Sequence, residues 1–253
     1  MTASSAQILQ RYDGNTVAYH HTPGQQPGIL FCGGFNSDMQ GHKALALEAH
    51  CREHNRQFTR FDYFGHGESS GTFEDGTIGR WADDAIAVLE QVTEGPQLIV
   101  GSSMGGWMML LASLACPQRV VGLVGVAAAP DFTEQMTRSA LTPAQLAELA
   151  EQGFTDIPNC YDDQEPYRIR RTLIEEGREH LLLDREIAID VPVRLIHGQQ
   201  DPDVPWQCAL ELMERLRTAD VEVQLLKSGD HRLSEPEDLS RLCTTIERLL
   251  DRL

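Results

Sequence analysis

The sequence GSSMGG at residues 101–106 lies between the apolar run QLIV and an apolar segment that continues to residue 115. Its first five residues match the pattern G-x-S-x-G, with Ser103 at the centre. Between a strand and a helix, this pattern forms a strained turn that lifts the serine hydroxyl above the edge of a sheet, and its glycines let the turn lie against neighbouring backbone. The chain is therefore constrained to a fold in which a buried strand leads directly into a buried helix, and Ser103 is a candidate nucleophile.

Apolar strands and amphipathic helices alternate through most of the chain, a pattern typical of βαβ units. We predict an α/β fold with a mostly parallel central sheet and helices on both faces. Asp13 and Gly14 separate two alternating runs and predict an N-terminal hairpin, and Thr77 is placed to cap the helix that follows it. Further helices are expected at about 39–54, 104–115, 205–218 and 235–253.

The pattern changes over residues 131–190. This stretch carries more charge and contains no clear parallel strand, and Thr142-Pro143 predicts a helix start. We therefore expect a single domain over residues 1–253, with 131–190 inserted as a small cap between two strands of the sheet.

A nucleophilic serine needs a base and an acid that orients the base, and on such a sheet they follow in the order serine, aspartate, histidine. Asp201 follows the predicted strand VPVRLIHG, and His231 follows the predicted strand VEVQLL. Because functional groups of open α/β sheets collect at the carboxyl ends of the strands, we expect both side chains to lie beside Ser103. His231 would then accept the serine proton, and Asp201 would hold the imidazole in the required tautomer.

Other residues compete for these roles. His66, in Gly65-His66-Gly67, is predicted to lie at the same edge, but it lacks the position after the final strand. Asp131, after the strand VVGLVGVAAA, is the second candidate for the acid, and Asp203 is a further rival. Asp230 is disfavoured because adjacent side chains on an extended segment point apart.

Two backbone amides are predicted to stabilise a developing oxyanion: that of Met104, directly after the nucleophile, and that of Phe35, in the loop after the strand GILFC. Trp107 and Arg168 are candidates for the substrate pocket, and Arg168 belongs to a basic run that could receive an anionic group. The competing interpretations are a buried core position for Trp107 and a solvated ion pair for Arg168. The predicted chemistry requires neither a metal nor an organic cofactor.

Charge and composition exclude several classes of protein. The chain has 253 residues, with 21 basic and 38 acidic side chains and a formal net charge of −17. Such an acidic surface repels phosphates, so nucleic-acid binding is not expected. Residues 97–118 carry no charge, but the turn at 101–106 divides them into a strand and a helix, so no stable membrane insertion is expected.

Six cysteines occur at positions 32, 51, 116, 160, 208 and 243, with no CxxC pair. This spacing argues against a zinc ribbon or a redox motif. The first residues, MTASSAQILQRYDG, contain neither the basic region nor the apolar region of a secretory signal. We therefore expect reduced thiols and a cytoplasmic location.

Several separated motifs in order resemble the α/β-hydrolase superfamily: GGFNSDMQGHKALALE, RFDYFGHGESSG, LIVGSSMGGWMMLLA, VRLIHGQQDPDVPW and SGDHRLSEPED. They are most similar to the branch that contains palmitoyl-protein thioesterases and acyl-glucuronide esterases. The resemblance implies a serine hydrolase that cleaves carboxylic esters or acyl thioesters of small molecules or acylated proteins, with Ser103, Asp201 and His231 matching the triad. Many relatives carry histidine where this chain has Gly33, which puts the shape of that loop in question. The alternatives are a hydrolase of carbon–carbon bonds that uses the same triad and a non-catalytic ligand-binding protein on the same fold, and the oligomeric state stays open.

Overall fold

A computed structural model describes residues 5–157 and 166–253. Its main sheet has eight strands in the order β1-β2-β4-β3-β5-β6-β9-β10. These are β1 Gln7–Gln10, β2 Thr16–Thr22, β3 Gln25–Cys32, β4 Arg56–Phe61, β5 Gln97–Ser102, β6 Val120–Val126, β9 Val193–Gly198 and β10 Val221–Leu226. β2 pairs antiparallel with β1 and with β4, and every later pair in the sheet is parallel. The predicted mostly parallel sheet and its N-terminal hairpin are confirmed.

Helices pack on both faces of this sheet, as predicted. They are α1 His42–Glu53, α2 Ile78–Gln91, α3 Met104–Ala115, α7 Gln207–Arg215 and α8 Pro236–Leu250. One core cluster joins α2 and α3 to the sheet, and a second joins α1 and α8 to the opposite face. Neighbouring residues of β3 enter different clusters, with Ile29 in the second and Leu30 in the first. A central strand buried on both faces is therefore apolar throughout, which explains why the runs QLIV and GILFC lack alternation.

The predicted helix boundaries are confirmed at α3, and Thr77 caps α2 by accepting a hydrogen bond from the Arg80 amide. By contrast, α1 begins three residues after its predicted start at 39. The reason is that both backbone groups of Met39 are already used: its amide donates to Asp62 Oδ1 and its carbonyl accepts from Arg60. The helix expected over 205–218 is likewise shorter, ending at Arg215.

The chain between β6 and β9 forms separate small elements instead of further strands of the main sheet. They are α4 Phe132–Gln135, a π-helical turn Met136–Ala140, α5 Pro143–Gln152, β7 Phe154–Ile157, β8 Tyr167–Arg170 and α6 Arg171–Gly177. β7 and β8 pair antiparallel in a sheet of their own. Thr142 and Gln145 form a reciprocal cap at the start of α5, as its Thr-Pro sequence predicted. Part of the predicted cap, residues 158–165, lies outside the described residues.

Two further expectations concern the whole chain. Within residues 5–157 and 166–253, no helix is long and apolar enough to cross a membrane. Five cysteines are free thiols, at positions 32, 51, 116, 208 and 243, and Cys160 lies outside the described residues. Burial raises the pKa of Cys32, Cys51 and Cys208 to about 12, which keeps these thiols protonated.

Candidate active site

The backbone at Ser103 is strained in the way that the G-x-S-x-G pattern predicts. Ser103 has φ 55° and ψ −121° and directly precedes α3. Its amide donates to Val126 O at 2.9 Å. A Cβ on Gly101 would lie 2.4 Å from Gly105 O, and one on Gly105 would lie 2.1 Å from Cys32 O. Side chains are therefore excluded at both positions, and the turn is fixed against β3 and β6 with the serine side chain at the carboxyl edge of the sheet.

The side chain of His231 joins Ser103 to Asp201. His231 Nε2 lies 3.0 Å from Ser103 Oγ, and His231 Nδ1 lies 2.7 Å from Asp201 Oδ2. Ser103 follows β5, Asp201 follows β9 and His231 follows β10. The parallel sheet therefore brings His231 to two residues that lie 128 and 30 positions before it in the sequence. With its proton on Nδ1, the imidazole donates to the carboxylate and presents a lone pair to the serine hydroxyl.

Asp201 is held as an anion by several donors. Its Oδ1 accepts hydrogen bonds from the amides of Asp203 and Val204, both at 2.8 Å. Burial raises the pKa of Asp201, but the hydrogen bonds from His197 and His231 outweigh it and hold the pKa well below its usual range. The carboxylate thus remains charged opposite His231 over the whole neutral range.

Sequence reasoning missed His197. It is buried at the end of β9, and its Nε2 lies 3.2 Å from Asp201 Oδ2 and 3.0 Å from Val204 O. A proton on Nε2 can be shared between both acceptors, so His197 supports the same carboxylate oxygen, Asp201 Oδ2, that His231 contacts. The signal that could have revealed it is a histidine at the end of a strand, four residues before the candidate acid.

The rival residues have other partners. The carboxylate of Asp131 accepts hydrogen bonds from the amides of Leu182 and Leu183. It thereby holds the loop after α6 against the end of β6. The Asp230 carboxylate accepts from Leu233 N. His66 is buried at the predicted edge of the sheet, but its ring nitrogens bond to backbone groups of Phe64 and Asn36.

The loop after β3 passes directly beside Ser103. A Cβ on Gly34 would lie 3.4 Å from Ser103 Cβ. Ser37 N donates to Gly34 O at 3.3 Å, which closes a turn with Phe35 and Asn36 at its centre. Because the amide and the carbonyl of a peptide unit point in opposite directions, the Phe35 amide points away from Ser37. Met104, at the start of α3, also has an amide without an intrahelical partner.

A cleft of about 1150 Å³ opens at these residues. Ser103, Met104, Gly34 and His231 are part of its lining. Apolar side chains also line the cleft: Phe35 from the loop after β3, and Phe132, Met136, Leu141, Ile157 and Tyr167 from the chain between β6 and β9. The cleft therefore joins the reactive groups to a wall of apolar side chains.

Neither predicted pocket residue is among the described residues that line this cleft. Trp107 is fully buried in the core, and its indole amine donates to His180 O at 3.2 Å. Arg168 forms a two-pronged ion pair with Asp156 and stacks on the ring of Phe154. Because each group already has a partner, the structure favours the competing interpretations, a core side chain for Trp107 and a surface ion pair for Arg168.

Ligand atoms of Asp201, Asp203 and His231 lie within 4.8 Å of one another. Asp201 and His231 are bonded to each other, and the other oxygen of Asp201 is occupied by two backbone amides. Hydrogen bonding between the side chains explains this grouping without a cation.

Comparisons with known proteins agree with this fold. Residues 29–242 match the alpha/beta hydrolase family. The chain is 40% identical to the mitochondrial palmitoyl-protein thioesterase ABHD10 of Bos taurus, over 99% of this chain and 81% of that protein. It is 39% identical to the Homo sapiens protein of the same name, with the same coverage. The structure of mouse alpha/beta hydrolase domain-containing protein 10 superposes with a TM-score of 0.91 and 40% identity, covering 98% of this chain and 99% of that one.

The names of these relatives contradict the expected cytoplasmic location, because both proteins are named as mitochondrial. The expectation rested on the cysteine pattern and on the first residues of the chain. The cytoplasmic expectation is therefore withdrawn. The family match, the eight-stranded sheet and the resemblance of the separated motifs all agree, and the chain belongs to the alpha/beta hydrolase family.

Proposed function

We propose that the protein is a serine hydrolase that cleaves carboxylic esters or acyl thioesters through an acyl-enzyme on Ser103. The observation that carries this proposal is the position of the His231 imidazole, 3.0 Å from the hydroxyl of a strained serine and 2.7 Å from a carboxylate. A purely structural role for His231 would not explain its contact with Ser103 Oγ. A purely structural role for Ser103 would not explain its positive φ. This combination is the one that acyl transfer by a serine nucleophile requires.

In the first half of the reaction, Ser103 Oγ attacks the acyl carbon while its proton passes to His231 Nε2. The imidazolium that forms is stabilised by Asp201, and the oxyanion accepts from the amides of Phe35 and Met104. His231 then gives the proton to the departing alcohol or thiol. In the second half, His231 takes a proton from water, the hydroxide oxygen attacks the acyl carbon, and the carboxylic acid leaves as Ser103 Oγ is reprotonated.

We further propose that residues 131–190 act as a cap that selects the acyl group. The described part of this segment supplies apolar side chains to the cleft, among them Phe132, Met136 and Ile157. An acyl chain that covers these side chains removes apolar surface from water, at about 25 cal/mol per Å². The relatives named palmitoyl-protein thioesterase support a long acyl chain, on a protein or on a smaller carrier.

The test is hydrolysis of matched acyl esters and acyl thioesters, from two to sixteen carbons, by the wild type and by Ser103→Ala. Ser102→Ala is the control, because that serine is adjacent and its backbone belongs to β5. We expect activity in the wild type and in the control and none in Ser103→Ala, with activity rising with acyl chain length. If the wild type hydrolyses none of these substrates but cleaves a carbon–carbon bond beside a ketone, the alternative hydrolase is correct. Binding without turnover would instead support the ligand-binding alternative.

A further inference from the structure

His66 is a buried polar side chain that the proposed reaction does not use. It is 4% exposed. Its ring makes edge contacts with the rings of Tyr63, Phe73 and Trp81, at centroid distances of 5.3 to 5.7 Å. Burial lowers its pKa to about 4, against the hydrogen bond to Phe64 O, which raises it. The imidazole is therefore neutral at physiological pH.

The partners of the two ring nitrogens fix the tautomer. Nδ1 lies 3.0 Å from Phe64 O, a carbonyl that can only accept. Nε2 lies 3.2 Å from Asn36 N, an amide that can only donate. The neutral ring satisfies both partners in one arrangement alone, with the proton on Nδ1 and the lone pair on Nε2.

The amide that His66 accepts from belongs to the turn beside Ser103. This turn comprises residues 34–37, and Asn36 has φ 51°. A positive φ at the third residue requires the preceding peptide unit to be flipped relative to a common type I turn. Asparagine is one of the few non-glycine residues that adopt this conformation, and an acceptor for the Asn36 amide stabilises the flipped peptide unit further. His66 Nε2 supplies that acceptor from a different loop, 30 residues away.

We propose that His66 is a positioning residue that orients the oxyanion turn through Asn36, and thereby holds the Phe35 amide toward the reacting carbonyl. This inference rests on the proposed function, because it assumes that an oxyanion forms beside Phe35. The Gly65-His66-Gly67 motif then has a role distinct from base catalysis. Its histidine acts as a buried hydrogen-bond acceptor that links the loop after β4 to the loop after β3.

Two substitutions separate the two hydrogen bonds of the ring. In His66→Gln the side-chain oxygen reaches the position of Nε2 and can still accept from Asn36, while the bond to Phe64 is lost. In His66→Asn the shorter side chain can still donate to Phe64 but no longer reaches Asn36. His54→Asn, at an exposed histidine after α1, controls for the substitution itself.

The readouts are kcat and KM for an ester per titrated active site, and the Ki of an alkyl trifluoromethyl ketone, whose adduct with the serine carries an oxyanion. Active sites are counted by complete reaction with a fluorophosphonate. We expect His66→Asn to lower kcat by about 10- to 100-fold and to raise the Ki in proportion, with KM nearly unchanged. His66→Gln is expected to recover most of the loss, to within about fivefold of the wild type. Equal kcat and Ki in the Asn and Gln variants would overturn the proposal.

A measurement on the wild type keeps the proposal testable if His66→Asn does not fold. The ¹⁵N chemical shifts of the His66 ring report which nitrogen carries the proton. We expect the proton on Nδ1 from about pH 5 to pH 8, and a coupling across the hydrogen bond between Asn36 N and His66 Nε2. A proton on Nε2 would overturn the proposal, since that nitrogen could then accept nothing. Both NMR results are independent of turnover. A wild type that hydrolyses neither esters nor thioesters would therefore refute the proposed function without deciding the tautomer of His66.

Discussion

The carboxyl edge of the sheet and the described part of the inserted segment, residues 131–190, contribute to the same cleft but are held by different contacts. At the edge, the loops after neighbouring strands lie backbone against backbone. A Cβ on Gly198 would lie 2.2 Å from Gly229 O, and Ser103 O accepts from Ala129 N at 3.0 Å. Such buried hydrogen bonds and close approaches allow no displacement without loss of packing.

The described part of the inserted segment packs apolar side chains such as Phe132 and Ile169 against the core, and its polar contacts are mostly exposed ion pairs. Arg168 pairs with Asp156, and Arg170 pairs with Glu74 and Asp75, with these side chains between 38% and 52% exposed. Exposed ion pairs of this kind contribute about 0–1 kcal/mol each. From this contrast we infer that the sheet edge holds the reactive groups in place. Substitutions in the inserted segment would then change substrate preference without disturbing those groups.

The largest expected effect tests the sheet edge. Asp201→Asn removes the charge that stabilises the imidazolium and permits the wrong tautomer of His231, so kcat should fall about 10⁴-fold. Asp184→Asn, at an exposed aspartate, is the control. Steady-state kinetics with a short-chain ester measure the change. If Asp201→Asn stays active and Asp131→Asn does not, the acid has been assigned to the wrong strand.

Close backbone packing at the same edge predicts a loss of stability. In Gly105→Ala the new Cβ would meet Cys32 O at 2.1 Å, so the free energy of unfolding should fall by about 3 kcal/mol. Gly33→Ala is a matched control in the neighbouring loop, where the nearest atom would lie at 3.6 Å. Urea denaturation compares the two. Equal free energies of unfolding for the two variants would show that the backbone around Gly105 can shift to accommodate a Cβ.

The pH dependence of stability probes the buried histidine at this edge. The folded-state pKa of His66 is about 4, below its ordinary value of 6.5, so between these values the unfolded chain binds a proton that the folded chain does not. Stability from this group is complete above about pH 6.5 and falls by about 3 kcal/mol as the pH drops to 4. Asp84, whose pKa burial raises to about 6, titrates in the opposite sense over this range.

The histidine contribution is therefore measured as a difference between two proteins. The stability gap between wild type and His66→Gln should narrow by about 3 kcal/mol from pH 7 to pH 4. Urea denaturation at each pH provides the values, and Asp84 cancels because both proteins carry it. A gap that stays constant over this range would contradict a neutral buried imidazole.

A smaller effect is expected in the inserted segment. Met136 lines the cleft, and Met136→Gln places an amide of similar size against the acyl chain. Leaving that amide unpaired should raise KM for long-chain esters about tenfold and leave acetyl esters unchanged. Met213→Gln, at an exposed methionine, is the control. Equal effects on short and long chains would mean that Met136 acts on the catalytic geometry instead.

The smallest effect is expected at the surface ion pair. Arg168→Ala should lower the free energy of unfolding by less than about 1 kcal/mol and leave kcat and KM unchanged, because the pair with Asp156 is solvent-exposed. Thermal denaturation and steady-state kinetics measure both quantities. A large rise in KM confined to anionic substrates would return Arg168 to the substrate pocket.

The same contrast explains what the sequence could predict. Strand and helix periodicity, together with the turn at Ser103, were enough to place the sheet and to identify the residues that meet at its edge, because buried backbone allows few alternatives there. For Trp107 and Arg168 the sequence left two interpretations open, because an indole suits a pocket or a core, and a guanidinium suits an anionic substrate or an ion pair. His197 and the role of His66 depend on which backbone groups face them, and that information appears only once separate loops have been brought together.

The most direct test of the account is the site of covalent modification during turnover. The wild type is mixed with a long-chain acyl thioester, quenched in acid within the first turnovers, digested and analysed by mass spectrometry, with a fluorophosphonate-treated sample in parallel. We predict that both the acyl group and the phosphonyl group are found on Ser103 and that Ser103→Ala carries neither. Modification of another residue, or turnover with no modification of Ser103, would contradict the central claim.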